Sequence, residues 1–205
     1  MRQADQQVSG IDMSAQDPAE VDWAAHWQQG KQFAYVLATE GVDRVNPCFG
    51  AQYAESFEAG LIRGAYHLAL PDRSSGADQA EFFVDNGGSW SNDGMTLPGA
   101  LDLGHNPYGK SCYGLSKAAL SDWVHDFSDT YREWTGRYPM VYTSETWWSR
   151  CAGADFGTPN PLWVAKHSAT PGALPRSLGV YPVWDRPSPS VESSTQDRLL
   201  ALVAD

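Results

Sequence analysis

Short apolar runs alternate with amphipathic segments along most of the chain. Seven runs have the length and composition of buried strands: 9–13, 33–39, 62–70, 98–103, 139–144, 161–166 and 180–184. Between the early runs, apolar residues recur at helical spacing over 21–30, 49–60 and 116–135, and each of these segments ends at or next to a glycine. Strands that alternate with helices predict a parallel sheet.

The second half of the chain departs from this regular alternation. After about residue 138 the segments between predicted strands are too short for full crossover helices. The Pro- and Ser-rich segment 186–195 is typical of a loop, and a short final helix follows it. The pattern predicts one α/β barrel with complete βα units first and looser connections later. We assign the barrel to residues 9–205 and treat residues 1–8 as an N-terminal extension.

Composition and charge exclude several classes of partner. A chain of 205 residues, 42% of them hydrophobic, can bury one full core. Its formal net charge of -11 and the lack of a Lys/Arg cluster disfavour nucleic acid and anionic membrane surfaces. No apolar run approaches the roughly 20 residues that span a bilayer.

The N-terminal residues lack the apolar centre of a signal peptide, which predicts a cytoplasmic protein. A chain whose leader had been removed would look the same and be secreted. There is no glycine-rich phosphate loop and no His/Cys ligand cluster, so we expect no cofactor and no metal. We also expect a monomer. Cys48, Cys112 and Cys151 allow either one disulfide with one free thiol or three buried thiols.

Candidate site residues follow from the position of the strand ends. In β/α barrels the loops at the C-terminal ends of the strands build the pocket. That rule selects the polar and aromatic residues at those ends: Asp12, Tyr66, His67, Asp102, Tyr142, Trp163, Lys166, Trp184 and Asp185.

Several motifs occur in an order that is typical of one known family. They are 10-GIDMS-14, 22-DW-23, 60-GLIRGAYHLALP-71, 78-DQAEFF-83, 97-LPGALDL-103, 112-CYGLS-116, 139-PMVYTSETWWSRC-151 and 161-PLWVA-165. On these motifs the chain resembles glycoside hydrolase family 25, the lysozymes that cut peptidoglycan between N-acetylmuramic acid and N-acetylglucosamine. The resemblance implies a single flattened TIM-like β/α barrel of eight strands with fewer than eight helices. It also implies a disulfide between Cys112 and Cys151, a pair found in related secreted members.

The fourth strand of that family normally ends in Asp-x-Glu, where the glutamate is the general acid and the aspartate helps to orient the substrate. The corresponding residues here are Asp102, Leu103 and Gly104. Alternate side chains of a strand share a face, so positions 102 and 104 point to the same side. Loss of a general acid typically lowers the rate by about 10²- to 10⁴-fold. We therefore expect ordinary muramidase activity to be absent or very weak.

Other pocket positions also differ from the family's pattern. Asp185 follows Trp184 where the family usually has glutamine, and Lys166-His167 replaces Arg-Tyr. Asp185 is either a substitute acid or a surface residue. His105 lies one residue beyond the same-face position, which is more typical of a turn, although imidazole suits acid–base chemistry near neutral pH.

The remaining candidates also have two interpretations each. Asp12 and Asp102 either take part in chemistry or bind loop backbone, and Gly104 either satisfies a turn or enlarges the pocket. Aromatic side chains form core walls or stack on sugar rings. The substrate-binding candidates are Tyr66, Gly104, Tyr142, Trp163, Lys166 and Trp184, whereas His67 is expected to be structural.

Three functions remain after these observations. The favoured hypothesis is a repurposed, cofactor-free enzyme that uses Asp102 and Asp12, with Asp185 or His105, for acid–base chemistry on a small or sugar-like substrate instead of peptidoglycan. The second is a non-catalytic, peptidoglycan-binding pseudoenzyme. The third is a residual muramidase with a substitute acid such as Asp185. We favour the first because several pocket positions have changed together.

Overall fold

The computed structural model of the chain describes residues 7–152, 160–165, 183–185 and 192–204. Its strands are β1 (Gln7–Met13), β2 (Lys31–Glu40), β3 (Arg44–Val45), β4 (Ile62–Leu68), β5 (Ala100–Asp102), β6 (Met140–Thr143), β7 (Leu162–Val164), β8 (Val183–Asp185) and β9 (Glu192–Thr195). Its helices are α1 (Trp23–Gln28), α2 (Phe49–Glu58), α3 (Gly76–Phe83), α4 (Lys117–Thr135), α5 (Glu145–Cys151) and α6 (Gln196–Val203).

Eight of these nine strands close into a barrel. From β1 through β2 and β4 to β8, neighbouring strands pair in parallel. β9 runs antiparallel between β8 and β1 and completes the ring, while β3 only extends β2 as a short hairpin. Six α-helices lie in the described parts of the chain. The predicted fold, an eight-stranded β/α barrel with fewer than eight helices, is confirmed.

All seven predicted strands are present, with ends shifted by a few residues, as β1, β2, β4, β5, β6, β7 and β8. The predicted helices correspond to α1, α2, α4 and the final α6. The apolar pattern locates these elements because each buries at least one apolar face, which leaves a periodic signal.

The prediction of a loop over 186–195 is wrong for its last four residues, which form β9. The segment Glu192–Thr195 carries no apolar residue, so hydrophobic periodicity has nothing to detect. The strand is held instead by backbone ladders on both sides, to β1 and to β8. The pattern also did not predict α3 and α5, which are one to two turns long.

The barrel interior is filled by large side chains opposite glycines. An ideal Cβ on Gly10 would lie 2.3 Å from the Phe33 ring, and one on Gly64 would lie 2.3 Å from the Tyr35 ring. The two glycines therefore make room for two fully buried aromatic rings. At the N-terminal ends of the strands, Leu199 of α6 joins the same buried cluster as Phe33.

His67 links the barrel to the helical layer around it. Its Nδ1 lies 2.8 Å from Thr39 Oγ1, and its Nε2 lies 2.9 Å from Gln79 Oε1. Since the amide oxygen of Gln79 is an acceptor, Nε2 carries the proton and Nδ1 accepts from the threonine hydroxyl. Complete burial lowers the pKa of His67 to about 4. These contacts support the structural role expected for His67.

A disulfide joins Cys112, ahead of α4, to Cys151 at the end of α5. The pairing implied by the family resemblance is therefore present. Cys48 is a free, partly buried thiol at the start of α2. Among the described helices, none combines the length and apolar character required to cross a membrane.

Candidate active site at the barrel mouth

Asp102 lies at the C-terminal end of β5 and faces the interior. Ala100, two residues earlier on the same strand, belongs to the interior cluster, and alternate residues of a strand share a face. The ladder aligns Asp102 with Tyr142 of β6, and Tyr142 in turn with Trp163 of β7. These three side chains therefore occupy one layer across neighbouring strands.

The aromatic members of this layer form a continuous wall. The rings of Tyr142 and Trp163 meet edge to face with centroids 5.0 Å apart. On the other side of Trp163, the ring of Tyr35 lies 4.8 Å away. Trp163 is buried and Tyr142 is half-buried, so the part of the wall that a ligand would reach is the edge formed by Tyr142.

Asp12 and Asp102 both lie close enough to Tyr66 to act on its phenol. Burial raises the pKa of the Tyr66 phenol well above its usual value, and the negative charges of Asp102, Asp12 and Asp17 raise it further. One phenol thus lies in the field of carboxylates from β1 and from β5. Tyr66 stays protonated at all physiological pH values and is available as a hydrogen-bond donor.

Two residues near this site were not selected from the sequence. Asp17 accepts hydrogen bonds from the backbone N–H and hydroxyl of Ser14 at 2.6 and 2.8 Å, which folds the loop after β1. Burial raises the pKa of Tyr113, with a further contribution from Asp102. Both residues lie on loops, where apolar periodicity gives no signal; the only sequence indication for Tyr113 is its position next to Cys112.

Gly104 does not adopt a backbone conformation that requires glycine. Its φ angle lies outside the left-handed region that several other glycines of the chain occupy. Among the described residues, an ideal Cβ at this position would have only Asp102 Oδ1 within 4.0 Å. The sequence offered two interpretations of Gly104, a turn that requires glycine or an enlarged pocket. The backbone conformation does not support the first, and the position has room for a side chain.

His105 lies outside the interior layer. It is exposed, and its Nδ1 lies 3.0 Å from the hydroxyl of Ser111 across a turn. The turn is anchored by the next residue, Asn106, which is buried and donates to Asp72 Oδ2 at 3.1 Å. The structure therefore brings Asp12, Asp102 and Tyr66 together and places His105 on the rim.

The last candidates lie on or beyond the late strands. Trp184 pairs with Val164, and Asp185 ends β8 opposite Glu192, which puts both backbones at the same end of the barrel as Asp102. Lys166 lies outside the described residues. In the described ranges, no group of three or more His, Cys, Asp or Glu side chains is arranged to hold a metal ion.

A closed β/α barrel with its polar site at the C-terminal ends of the strands is the general arrangement of β/α-barrel enzymes, and glycoside hydrolases use pairs of carboxylates. Comparison with known proteins identifies the family. The family model "Glycosyl hydrolases family 25" matches residues 11–185, and the chain belongs to this family.

Individual relatives are similar over most of the chain. The N,O-diacetylmuramidase of Chalaropsis sp. is 42% identical over 183 residues, which cover 86% of each chain. Lysozyme M1 of Streptomyces globisporus is 41% identical over 86% of this chain, which spans only 60% of that protein. A family GH25 lysozyme from Aspergillus fumigatus has a solved structure that superimposes with a TM-score of 0.92, at 38% identity and coverage of 98% and 100%.

These similarities correct the function favoured from the sequence. A barrel repurposed for a small substrate instead of peptidoglycan is contradicted, because relatives about 40% identical over most of the chain are muramidases and lysozymes. That hypothesis rested on differences at a few pocket positions, whereas the similarity to these relatives extends over most of the chain.

Proposed function

We propose that the protein acts on peptidoglycan as a muramidase, binding the glycan strand across the barrel mouth over Asp12 and Asp102. The observation that carries this proposal is the 42% identity to a muramidase across 86% of both chains. The bond to be cleaved joins N-acetylmuramic acid to N-acetylglucosamine.

The geometry of the mouth suits this reaction. Glycoside cleavage passes through an oxocarbenium-like transition state, and a carboxylate beneath the sugar stabilises the positive charge that develops there. Asp102 and Asp12 supply such charge, and Tyr66 supplies a neutral donor for a sugar hydroxyl or acetamido oxygen. The exposed edge of Tyr142 offers an apolar surface for a sugar ring.

The glycine at position 104 limits the rate of hydrolysis. A glycosidic oxygen needs a proton as it leaves, and position 104 supplies none. Hydrolysis by the wild-type chain is then slow and depends on another acid, for which Asp185 at the end of β8 is the candidate. Peptidoglycan binding without cleavage is the second candidate function, and the same feature, glycine at 104, favours it.

Restoring a carboxyl group at position 104 tests both candidates. Gly104→Glu is expected to raise the release of reducing ends from purified peptidoglycan by about 10²-fold or more. Gly104→Ala is the matched control, because it adds a Cβ into the same open space without a proton donor.

Three outcomes separate the candidates. Slow wild-type turnover that is abolished by Asp185→Asn supports a muramidase with a substitute acid. Binding with no wild-type turnover supports the glycan-binding function. If neither wild type nor Gly104→Glu binds or cleaves peptidoglycan, the proposal is wrong.

We also infer that the protein works outside the cytoplasm. The Cys112–Cys151 disulfide is typical of oxidising compartments, where thiols are not kept reduced. Peptidoglycan also lies outside the cytoplasmic membrane. This inference replaces the cytoplasmic location expected from the N-terminal residues.

A further inference from the structure

Two guanidinium groups lie over one exposed tyrosine at the edge of the barrel mouth. The Cζ atom of Arg73 is 4.7 Å from the centre of the Tyr108 ring, and that of Arg44 is 5.5 Å from it. Tyr108 is 50% exposed. We call Arg44, Tyr108 and Arg73 the rim stack.

The rim stack lies at the same end of the barrel as the carboxylates. Arg44 begins β3, directly after β2 ends, and Arg73 follows the end of β4. Tyr108 belongs to the turn that follows Asp102 and β5. Loops after three neighbouring strands thus place these side chains at the same end of the barrel as Asp102.

The tyrosine ring is fixed before any ligand arrives. Arg44 Nη1 donates to the Tyr108 hydroxyl at 3.0 Å, and the nearby carboxylate of Glu40 raises the pKa of that phenol. Glu40 also lies 3.6 Å from Arg44 and offsets its charge. Of the neighbouring carboxylates, Asp72 is engaged by the amide of Asn106. Arg73 is exposed, and among the described residues no carboxylate oxygen lies within 4.0 Å of its guanidinium nitrogens, so it is the more available positive charge of the stack.

A cavity of about 350 Å³ adjoins the stack on the β2 side. Its lining includes Ala15, Leu37, Glu40, Asp43 and Arg44, so it opens between the loop after β1 and the β2–β3 hairpin. A ligand that extends from the barrel mouth past Arg44 would have space in this cavity for a short peptide segment.

The arginines of the rim stack contrast with the negative charge of the chain as a whole. With a formal net charge of -11, the surface repels carboxylate-bearing ligands in general. A guanidinium group binds a carboxylate through two parallel hydrogen bonds, and an ordered aromatic ring beside it adds apolar contact. The peptide stem of peptidoglycan is such a ligand, because it carries free carboxylates and branches from the muramic acid residue of the glycan.

We propose that the rim stack is a subsite for the peptide stem of peptidoglycan, with Arg73 as the main carboxylate-binding residue. This inference rests on the proposed function. It makes the stem, and not only the glycan, a determinant of substrate choice.

Calorimetric titration of the full chain with two ligands tests the subsite. One ligand is a peptidoglycan oligosaccharide that carries tetrapeptide stems, and the other is the same oligosaccharide after an amidase has removed the stems. Wild type is expected to bind the stem-bearing ligand more tightly, with the preference reduced at high salt. Arg73→Gln should weaken binding of that ligand about fivefold, and the Arg44→Gln/Arg73→Gln double variant about tenfold, whereas binding of the bare glycan stays unchanged.

Arg132→Gln is the matched control. Arg132 donates to the Tyr138 hydroxyl at 2.9 Å and lies 4.6 Å from that ring, in the same kind of pair but at the N-terminal end of the barrel. It should leave the affinity for both ligands unchanged. Equal affinities of wild type for the two ligands, or equal loss of both in the double variant, would overturn the stem subsite. If wild type binds neither ligand, the proposed function fails instead.

Discussion

At the scale of single residues, His67 and His105 have the same side chain in different environments. His67 lies on β4 and is completely buried with two hydrogen-bond partners, whereas His105 follows β5 and is exposed on a turn. Burial disfavours the charged imidazolium, so the pKa of His67 falls to about 4. The consequence of that depression is a dependence of stability on pH.

The lowered pKa of His67 predicts a loss of stability as the pH falls from about 6.5 towards 4. In this range the unfolded chain binds a proton at position 67 and the folded chain does not, which costs about 3 kcal/mol by pH 4. Urea unfolding of wild type and His67→Gln at pH 7, 5.5 and 4 measures this. The difference between the two free energies of unfolding should shrink by about that amount, and parallel pH profiles would contradict the assignment.

At the scale of elements, the Cys112–Cys151 disulfide fixes α5 to the segment ahead of α4. The two cysteines are 39 residues apart in sequence, and the loop between them contains β6 as well as α4. A cross-link over a loop of this length limits the unfolded chain, so it stabilises the fold by about 3 to 4 kcal/mol in the chain-entropy model.

Replacing both cysteines by alanine should therefore lower the free energy of unfolding by about 3 kcal/mol, measured by urea denaturation. Cys48→Ala provides the comparison, because Cys48 is a free and only partly buried thiol. That variant should change stability by less than about 1 kcal/mol. A double variant as stable as wild type would mean that the bridge does not constrain the unfolded chain.

At the scale of the whole molecule, the C-terminal segment closes the barrel. β9 completes the ring between β8 and β1, and α6 covers the N-terminal ends of the strands with Leu199, which is buried to 1% exposure. The neighbouring Leu200 is 46% exposed. Two adjacent leucines of one helix thus have opposite environments.

This difference predicts unequal effects of the same substitution at the two positions. Leu199→Ala should lower the free energy of unfolding by about 2 to 5 kcal/mol, because it removes apolar contacts and leaves a cavity at the N-terminal end of the barrel. Leu200→Ala should cost less than about 0.5 kcal/mol. Thermal or urea unfolding of the two variants gives the comparison, and similar losses in both would show that α6 does not seal the barrel as described.

Local sequence pattern identified the parts of the fold that bury an apolar face. Seven strands, four helices and the barrel follow from the pattern, and the family resemblance supplied the count of eight strands and the disulfide. β9 was missed because its residues, Glu192 to Thr195, are polar, and it pairs through backbone ladders with β1 and β8. The candidate site residues divide in the same way. The sequence indicated candidates at the strand ends, but it did not indicate the loop residues Asp17 and Tyr113.

The sequence by itself determined the order of the elements, the family and the glycine at position 104. Only the tertiary structure decided that Asp12 and Asp102 act on the same tyrosine, because they are 90 residues apart and meet through the barrel's closure. It also decided that Gly104 has an ordinary backbone conformation with open space beside it, and that Arg44, Tyr108 and Arg73 come together at the rim. Residue type and spacing are local properties, whereas proximity between distant residues depends on how the strands pair.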